Sequence, residues 1–230
     1  MPECRTFTPL PGDGWSHHPY SLELAPWQSD HNLDNVRMGD LDRLTTLLAR
    51  LHAAGRTRAR LPLYLTESGY QTAPPDPTWK VTLADQARWL PEAERVARRQ
   101  PTLRSVAQFL VRDLPERPGR RLKTRWRDYQ SGLRFEDGRA KPAHAAFALS
   151  LVARRTTTAG RVSFWGLVRP GSGTRRARIS VRGRDGRWRA IGRGRTRPDG
   201  TFRLTVPVDP ARTFRFESGR RAGPAIEGAR

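Results

Sequence analysis

The chain has 230 residues, of which 36% are hydrophobic, and carries 43 Lys and Arg against 22 Asp and Glu. This length suits one large or two modest domains. No apolar run is long enough to span a membrane, and the N-terminus lacks the apolar core of a signal peptide. The single cysteine, Cys4, excludes an internal disulfide, and nothing near it in sequence would activate it as a nucleophile.

The positive charge is concentrated in the last third of the chain. Residues 1–150 carry 23 Lys and Arg against 17 Asp and Glu, a net +6, whereas residues 151–230 carry 20 against 5, a net +15. This excess indicates either a face that binds a polyanion or an arginine bias spread over a solvated surface. The arginines are scattered and no nucleic-acid motif accompanies them, so the sequence favours the second interpretation and disfavours nucleic acid as a partner.

The first predicted strand begins at Trp15 in GDGWSHHPY and is stopped by Pro19. It leaves polar side chains at or just past its end, and the loop that follows is long enough to be functional. The histidines and aspartates here could bind a metal ion, but they lack a helical i, i+4 pair, so a metal site is not favoured. They are His17, His18, Asp30, His31 and Asp34.

A helix is predicted from Leu41 to about residue 54, because leucines recur at helical spacing between a capping Asp40 and a terminating Gly55. The next stretch, LPLYLT at 61–66, is apolar nearly throughout, which is typical of a parallel strand buried on both faces. It stops at Glu67. A carboxylate at the tip of a buried strand is energetically unfavourable unless it forms an ion pair or takes part in catalysis. The alternative interpretation is a solvated glutamate in a loop.

Two further strand–helix units follow. Thr82 and Asp85 resemble a capping box for a helix that runs to about Arg99. SVAQFLV at 105–111 predicts a third strand, and a long basic loop leads to a third helix, AHAAFALSLV, opened by Lys141 and Pro142. Strand–helix alternation three times over predicts a parallel sheet covered by helices.

After residue 152 the pattern changes to short alternating runs separated by turn residues. Residues 153–159 are predicted to be a linker, and residues 160–230 an antiparallel β-sandwich. A module of this size has a small core, so its stability should be modest. Its large aromatic residues, Trp165, Trp188 and Phe202, are assigned to that core rather than to a binding site.

Consecutive parallel strands are neighbours, so the groups at their ends should converge around Glu67. His18 and Tyr20 follow the first strand, and Gln108 lies near the end of the third. A tyrosine hydroxyl that donates to a carboxylate holds it ionised and oriented. The loops that would surround this site carry Trp27, Trp79 and Trp126, which are either platforms for sugar rings or packing residues.

Four segments in order resemble clan A glycoside hydrolases, in particular family 5 and family 39-like enzymes of actinobacteria. TESGYQT after LYL resembles their seventh-strand nucleophile segment, and GWSHHPYS resembles their sixth-strand His-x-Tyr motif. SVAQFLVRD is similar to their eighth strand, and SGLRFEDGRAKPAHAAF to the last loop and helix. The C-terminal residues resemble the immunoglobulin-like or fibronectin-like sandwiches appended to bacterial secreted enzymes.

The resemblance implies the last three units of a (β/α)8 TIM barrel over residues 1–152, followed by the linker and an immunoglobulin-like sandwich. It implies a retaining glycosidase with Glu67 as nucleophile, assisted by Tyr20 and His18. A carbohydrate substrate and an extracellular or cell-surface location are expected, and no cofactor or metal. The residues expected to contact substrate are Trp27, Tyr70, Gln108 and Trp126.

One departure from the family pattern is important. The acid/base glutamate of these enzymes follows an asparagine, and no Asn-Glu pair occurs in this chain. Three strand–helix units also cannot close an eight-stranded barrel, so a truncated chain that is inactive alone is expected. The candidates for a replacement acid are Asp13, Glu23 and Asp113.

Two other functions stay open at this point. One is a non-catalytic binding protein whose basic sandwich binds polysaccharide or an anionic cell-wall polymer such as teichoic acid. The other is nucleic-acid binding through charge alone.

Overall fold

The protein is a mixed α/β structure with one parallel and two antiparallel sheets. The computed structural model describes residues 8, 9, 11–119, 121–126, 128–170 and 173–230, so Cys4 lies outside the described residues. Three short parallel strands form the first sheet: β1 (Trp15–His17), β2 (Leu63–Ser68) and β3 (Leu103–Gln108). Their order is β1-β2-β3, so the predicted interior position of β2 is confirmed.

Four helices accompany this sheet: α1 (Leu41–Ala53), α2 (Leu83–Ala97), α3 (Leu122–Arg125) and α4 (Pro142–Ala148). Thr82 caps α2 as predicted, because its hydroxyl accepts a hydrogen bond from the Asp85 amide at 3.0 Å. Asp40 precedes α1 but does not cap it, since its carboxylate instead accepts from the amides of Asp30 and Arg37.

The helices cover one face of the parallel sheet and leave the other open. Leu63 and Leu65 of β2 are fully buried against leucines of α1 and against α2. The alternate residues of β2, Tyr64 and Thr66, are exposed, as is Ser16 of β1. Parallel sheets are ordinarily covered on both faces, so this open face is the unusual feature of the first part.

Eight further strands, of which the last two have only two residues each, build the C-terminal part. They are β4 (Leu149–Arg155), β5 (Arg161–Val168), β6 (Arg176–Arg182), β7 (Trp188–Arg195), β8 (Thr201–Pro207), β9 (Thr213–Ser218), β10 (Arg221–Ala222) and β11 (Ile226–Glu227). One antiparallel sheet has the order β4-β5-β8. The other has the order β10-β9-β6-β7, and β11 also pairs with β9. Phe164, Ile179 and Phe216 come from both sheets and share one buried core.

The predicted third helix and linker are wrong at their junction. The helix ends at Ala148, and residues 149–155 form strand β4, which pairs with β5 along its whole length. Alternate residues Leu149, Leu151 and Ala153 enter the shared core, while Val152 packs on the other face with Trp165. Because a strand buried on both faces is a continuous apolar run, it is indistinguishable by periodicity from the end of a buried helix.

The two parts are joined by ion pairs between buried glutamates of α2 and arginines of the antiparallel sheets. Glu92 accepts from Arg154 of β4 at 2.7 Å, and Glu94 lies 2.7 Å from Arg169 and 2.6 Å from Arg98. Both carboxylates are nearly inaccessible to water. Some of the excess arginines therefore neutralise buried carboxylates instead of lying on the solvated surface.

Among the described residues, no helix combines the length and apolar character that crossing a membrane requires.

Candidate active site

Glu67 lies at the carboxyl end of β2, between the ends of the two neighbouring strands. The next residue, Ser68, is in register with Gln108 at the end of β3. Gly69 lets the chain pass close to β3, because a side chain there would collide with the carbonyl oxygen of Phe109. The Glu67 side chain is 31% exposed, so it combines a fixed backbone with access from outside.

Two side chains from the end of β1 reach the Glu67 carboxylate. The Tyr20 hydroxyl donates to Oε2 at 2.9 Å, and His18 Nδ1 lies 3.6 Å from the same oxygen. The other ring nitrogen of His18 is 3.0 Å from the Thr66 hydroxyl. The predicted meeting of Tyr20 and His18 with Glu67 is therefore confirmed as geometry. Oε1 accepts no hydrogen bond from any described residue, so one carboxylate oxygen is held and the other is unengaged.

An aromatic group surrounds this carboxylate. The Tyr20 and Tyr129 rings stack with centroids 6.0 Å apart, and the Phe109 ring meets each of them edge-on. Phe109 follows Gln108 near the end of the predicted third strand, so it is among the groups expected to converge around Glu67, whereas Tyr129 lies in the long basic loop and is not assigned to the site. The signal for Phe109 was its place next to Gln108, whereas nothing in the local pattern marks Tyr129.

Gln108 is at the predicted strand end, but its side-chain amide forms hydrogen bonds with the protein backbone. Its Nε2 donates to the Ser131 carbonyl at 2.8 Å and thereby holds the segment that carries Tyr129. The Ser131 hydroxyl in turn donates to the Phe109 carbonyl oxygen. Gln108 thus positions the wall of the site, and its contact with substrate stays a prediction.

A fully buried lysine, Lys141, also holds the segment that carries Tyr129. Lys141 Nζ is 2.8 Å from the Asp113 carboxylate, 2.9 Å from the Gln130 carbonyl and 3.0 Å from the Thr72 hydroxyl. Burial raises the pKa of Asp113 and lowers the pKa of Lys141, and the pairing of the two opposes both shifts. The loops after β2 and β3 are tied through Lys141 to the start of α4.

Two of the three candidate replacement acids lack the required placement. Asp113 is buried and paired with Lys141. Asp13 precedes β1, and the strands are parallel, so it lies at the opposite end of the sheet from Glu67. Glu23 is an exposed loop residue whose carboxylate accepts from the Lys80 amide. The structure therefore corrects this expectation for Asp13 and Asp113, and the role of Glu23 stays a prediction.

Two of the residues expected to contact substrate are packed elsewhere. Tyr70 is only 3% exposed and its ring packs on Trp89, in the core beneath the site. Trp27 also packs on Trp89, and the Arg230 guanidinium covers its ring at 3.1 Å. Trp126 follows helix α3 and is half-buried, and its proposed contact with substrate stays a prediction.

The acidic loop after β1 uses its polar groups internally. Asp30 accepts from Arg37, Asn35 and the Asn32 amide, and the bond from Arg37 is the main cause that holds its pKa well below the ordinary value. His17 is bonded to the Val36 carbonyl at 2.8 Å. Within the described residues, no three His, Cys, Asp or Glu side chains are grouped so that they could hold a metal ion.

Comparisons with known proteins give structural likenesses only. No family model matches the chain, and no curated protein matches it in sequence. A family 39 glycoside hydrolase from Bacteroides cellulosilyticus WH2 is 15% identical, with a TM-score of 0.45 over 84% of this chain and 42% of that protein. The FMN-binding beta-glucuronidase from Facaelibacterium prausnitzii L2-6 is 12% identical, with a TM-score of 0.40 over 94% of this chain.

Beta-glucuronidase 2 from Bacteroides uniformis is similar at 15% identity, with a TM-score of 0.38 over 94% of this chain and 25% of that protein. The chain thus spans between a quarter and about two fifths of the length of these three glycosidases. We base the function proposed below on the geometry of the site.

The bond between Tyr20 and Glu67 has a measurable consequence. Burial of the phenol, the hydrogen bond to Glu67 and the negative charge of that carboxylate raise the pKa of Tyr20 well above its usual value of 10.0. The step in tyrosinate absorbance that belongs to Tyr20 is identified by its absence from the Tyr20→Phe variant. We expect this step only at the alkaline end of a titration. Glu67→Gln should shift that step to lower pH, because the negative charge of the carboxylate then no longer raises the pKa of Tyr20.

The measurement is an ultraviolet difference titration of the two variants against the unsubstituted chain. Glu23→Gln is the control, since it removes a carboxylate that does not contact Tyr20. A Tyr20 step that is the same with and without Glu67 would contradict the observed contact.

Proposed function

We propose that the parallel-sheet part of this chain is the nucleophile-bearing side of a retaining glycoside hydrolase that cleaves O-glycosidic bonds. The observation that carries the proposal is the partly exposed Glu67 carboxylate at the end of the central parallel strand, held by the Tyr20 hydroxyl at 2.9 Å. The carboxyl ends of parallel barrel strands are where catalytic groups lie in this class of fold.

The chemistry follows from the two carboxylate oxygens. Tyr20 holds Oε2, and Oε1 attacks the anomeric carbon of the sugar to form a glycosyl-enzyme ester while the leaving oxygen takes a proton from an acid. The conjugate base of that acid then takes a proton from a water molecule that attacks the same carbon, and Oε1 leaves as the carboxylate is regenerated. His18 Nδ1 lies 3.6 Å from the same oxygen as Tyr20, Oε2, close to it but beyond hydrogen-bond distance.

The aromatic group supports a sugar as the substrate. Tyr129 and Phe109 pack around Tyr20 and give the site an apolar wall beside the carboxylate. The C–H faces of sugar rings pack on such walls, and the nearby carboxylate supplies the polar contact. This composition fits the general character of ligand sites, which are apolar with a few placed polar groups.

In this proposal the acid/base carboxyl comes from additional polypeptide. A retaining mechanism needs two carboxyl groups about 5 Å apart, and Asp13 and Asp113 do not meet that need. The open face of the sheet, with Tyr64 37% exposed, indicates where further barrel strands would pack. The parallel sheet and its helices are then the last three units of a (β/α)8 barrel.

The remaining parts of the proposal rest on the family resemblance. The antiparallel sheets are an appended immunoglobulin-like module, the substrate is a carbohydrate, and the protein acts outside the cell or at its surface. No cofactor takes part.

The chain alone should not hydrolyse glycosides at a useful rate, because it supplies one of the two carboxyl groups. Its addition to the barrel segment encoded upstream, with an Asn-Glu at a strand end, should produce turnover. The measurement is release of an aryl leaving group from a panel of aryl glycosides by each part and by the two combined. Robust hydrolysis by the 230-residue chain alone, lost in Glu67→Gln, would show that its own residues include the acid.

A further inference from the structure

The outer face of the sheet formed by β9, β6 and β7 carries arginines directly opposite one another. Arg176 of β6 is in register with Arg195 of β7, and Arg178 is in register with Arg193. The intervening residues Ala177 and Ile179 point into the core, so these arginines share the outer face. Like charges directly opposite across two strands destabilise a sheet, and here two such pairs are adjacent.

One carboxylate lies among these arginines, and it is fully engaged. Glu217 of β9 is bound by Arg178 at 2.6 Å, by Arg215 at 2.6 Å and by the Ser180 hydroxyl at 2.5 Å. Arg195 donates to the hydroxyl of Thr174. Within the described part of the chain, Arg176 and Arg193 form no ion pair and are exposed. Their positive charge is therefore available to a ligand.

The four arginines line a groove of about 670 Å³ at one end of the sheet. Side chains two residues apart on one face lie about 6.7 Å apart, and neighbouring strands about 4.8 Å apart. A guanidinium presents a planar fork of donors that matches carboxylate, sulfate or phosphate oxygens. A single small anion meets one or two of these forks, whereas a polymer with an anionic group on each repeat meets all four.

None of the described residues that line the groove is aromatic, which favours a polysaccharide bound through its charges over a single-stranded nucleic acid bound by base stacking. The aromatic residue nearest to these arginines in sequence, Trp188, lies at the opposite end of β7 from Arg193 and Arg195, where one face of its ring is covered by the Arg215 guanidinium, 4.4 Å from the ring centroid. The geometry points to a binding site for a linear anionic polysaccharide on the outer face of the β9-β6-β7 sheet, held by Arg176, Arg178, Arg193 and Arg195. None of these residues belongs to the Glu67 site, so the proposal stands independently of the proposed glycosidase activity.

The test uses the full chain and polygalacturonate as the probe, with binding followed by the anisotropy of a labelled polymer. We expect binding that weakens steeply when the NaCl concentration is raised about tenfold, because exposed charge contacts are screened. We also expect the monosaccharide galacturonate not to compete at matched carboxylate concentration, since one group cannot span the four arginines.

Arg176→Ala with Arg193→Ala should weaken binding at least about tenfold, the factor expected for the loss of about 1.4 kcal/mol. The matched control is Arg184→Ala with Arg187→Ala, which removes the same charge from exposed positions in the hairpin at the other end of β6 and β7. The proposal is supported if the double substitution of Arg176 and Arg193 weakens binding and the control double substitution does not.

Equal losses in the two double variants would overturn it, because the attraction would then belong to net charge alone. Unchanged binding in the Arg176 and Arg193 variant would overturn it as well. Tighter binding of a thymidine oligonucleotide of equal charge, weakened by the same variant, would replace the polysaccharide with nucleic acid as the partner.

Discussion

Replacement of Glu67 by Gln should abolish aryl glycoside hydrolysis by the chain combined with its upstream barrel segment, with a loss on the order of 10⁴-fold or more. The amide is nearly isosteric and still accepts a hydrogen bond from Tyr20, which lies 2.9 Å from the carboxylate in the native chain. The substitution thus preserves the shape of the site and removes the charged oxygen that would form the glycosyl-enzyme bond.

Glu23→Gln is the control for this substitution. It makes the same chemical change in an exposed carboxylate that accepts only a backbone amide, so turnover should be unchanged. The measurement is the initial rate of aryl release with each variant at matched concentration, after circular dichroism has shown equal folding. Hydrolysis that survives Glu67→Gln would assign the nucleophile to another residue, and a loss in Glu23→Gln would restore Glu23 as the acid.

Replacement of Lys141 by Met should lower the free energy of unfolding by about 3–5 kcal/mol, the usual cost of breaking a buried ion pair. Lys141 and Asp113 are both fully buried, and the substitution leaves Asp113 without its countercharge. It also removes the donors to Thr72 and the Gln130 carbonyl, which hold the loops beside the candidate site. Urea unfolding followed by tryptophan fluorescence measures the change.

Lys80→Met is the matched control, because Lys80 is exposed, and we expect its effect to stay within about 0.5 kcal/mol. Adding Asp113→Asn to Lys141→Met should recover part of the loss, since the amide is no longer charged but still accepts from the Gly132 amide. A loss in Lys141→Met no larger than in Lys80→Met would contradict the role of the buried pair.

The meeting of Tyr20 with Glu67 could be predicted because it depends on local pattern and one topological rule. The stretch from Trp15 to the stop at Pro19 and the apolar run at 61–66 each predict a strand that ends in polar residues. The helix between them makes the strands parallel neighbours with their carboxyl ends together. The antiparallel strands β5 to β9 correspond to the short alternating runs predicted after residue 159, since alternation and turn residues are local signals.

Features that depend on contacts between distant residues could not be predicted. Glu92 and Glu94 of α2 have the sequence pattern of solvated residues, and only the antiparallel sheets, 60 or more residues later, bury them with Arg154 and Arg169. The apolar run of β4 is read as helix because both of its faces are buried. Tyr129 reaches Tyr20 because Gln108 and Lys141 hold its segment, which no periodicity records.

The most direct test of Glu67 as nucleophile is covalent trapping. The combined segments would be treated with an aryl 2-deoxy-2-fluoroglycoside, a substrate that forms the glycosyl-enzyme and hydrolyses slowly, and then digested for peptide mass spectrometry. We predict one fluorosugar adduct, located on Glu67 and absent from the Glu67→Gln variant. An adduct on any other residue, in a preparation that turns over aryl glycosides, would contradict the assignment of Glu67.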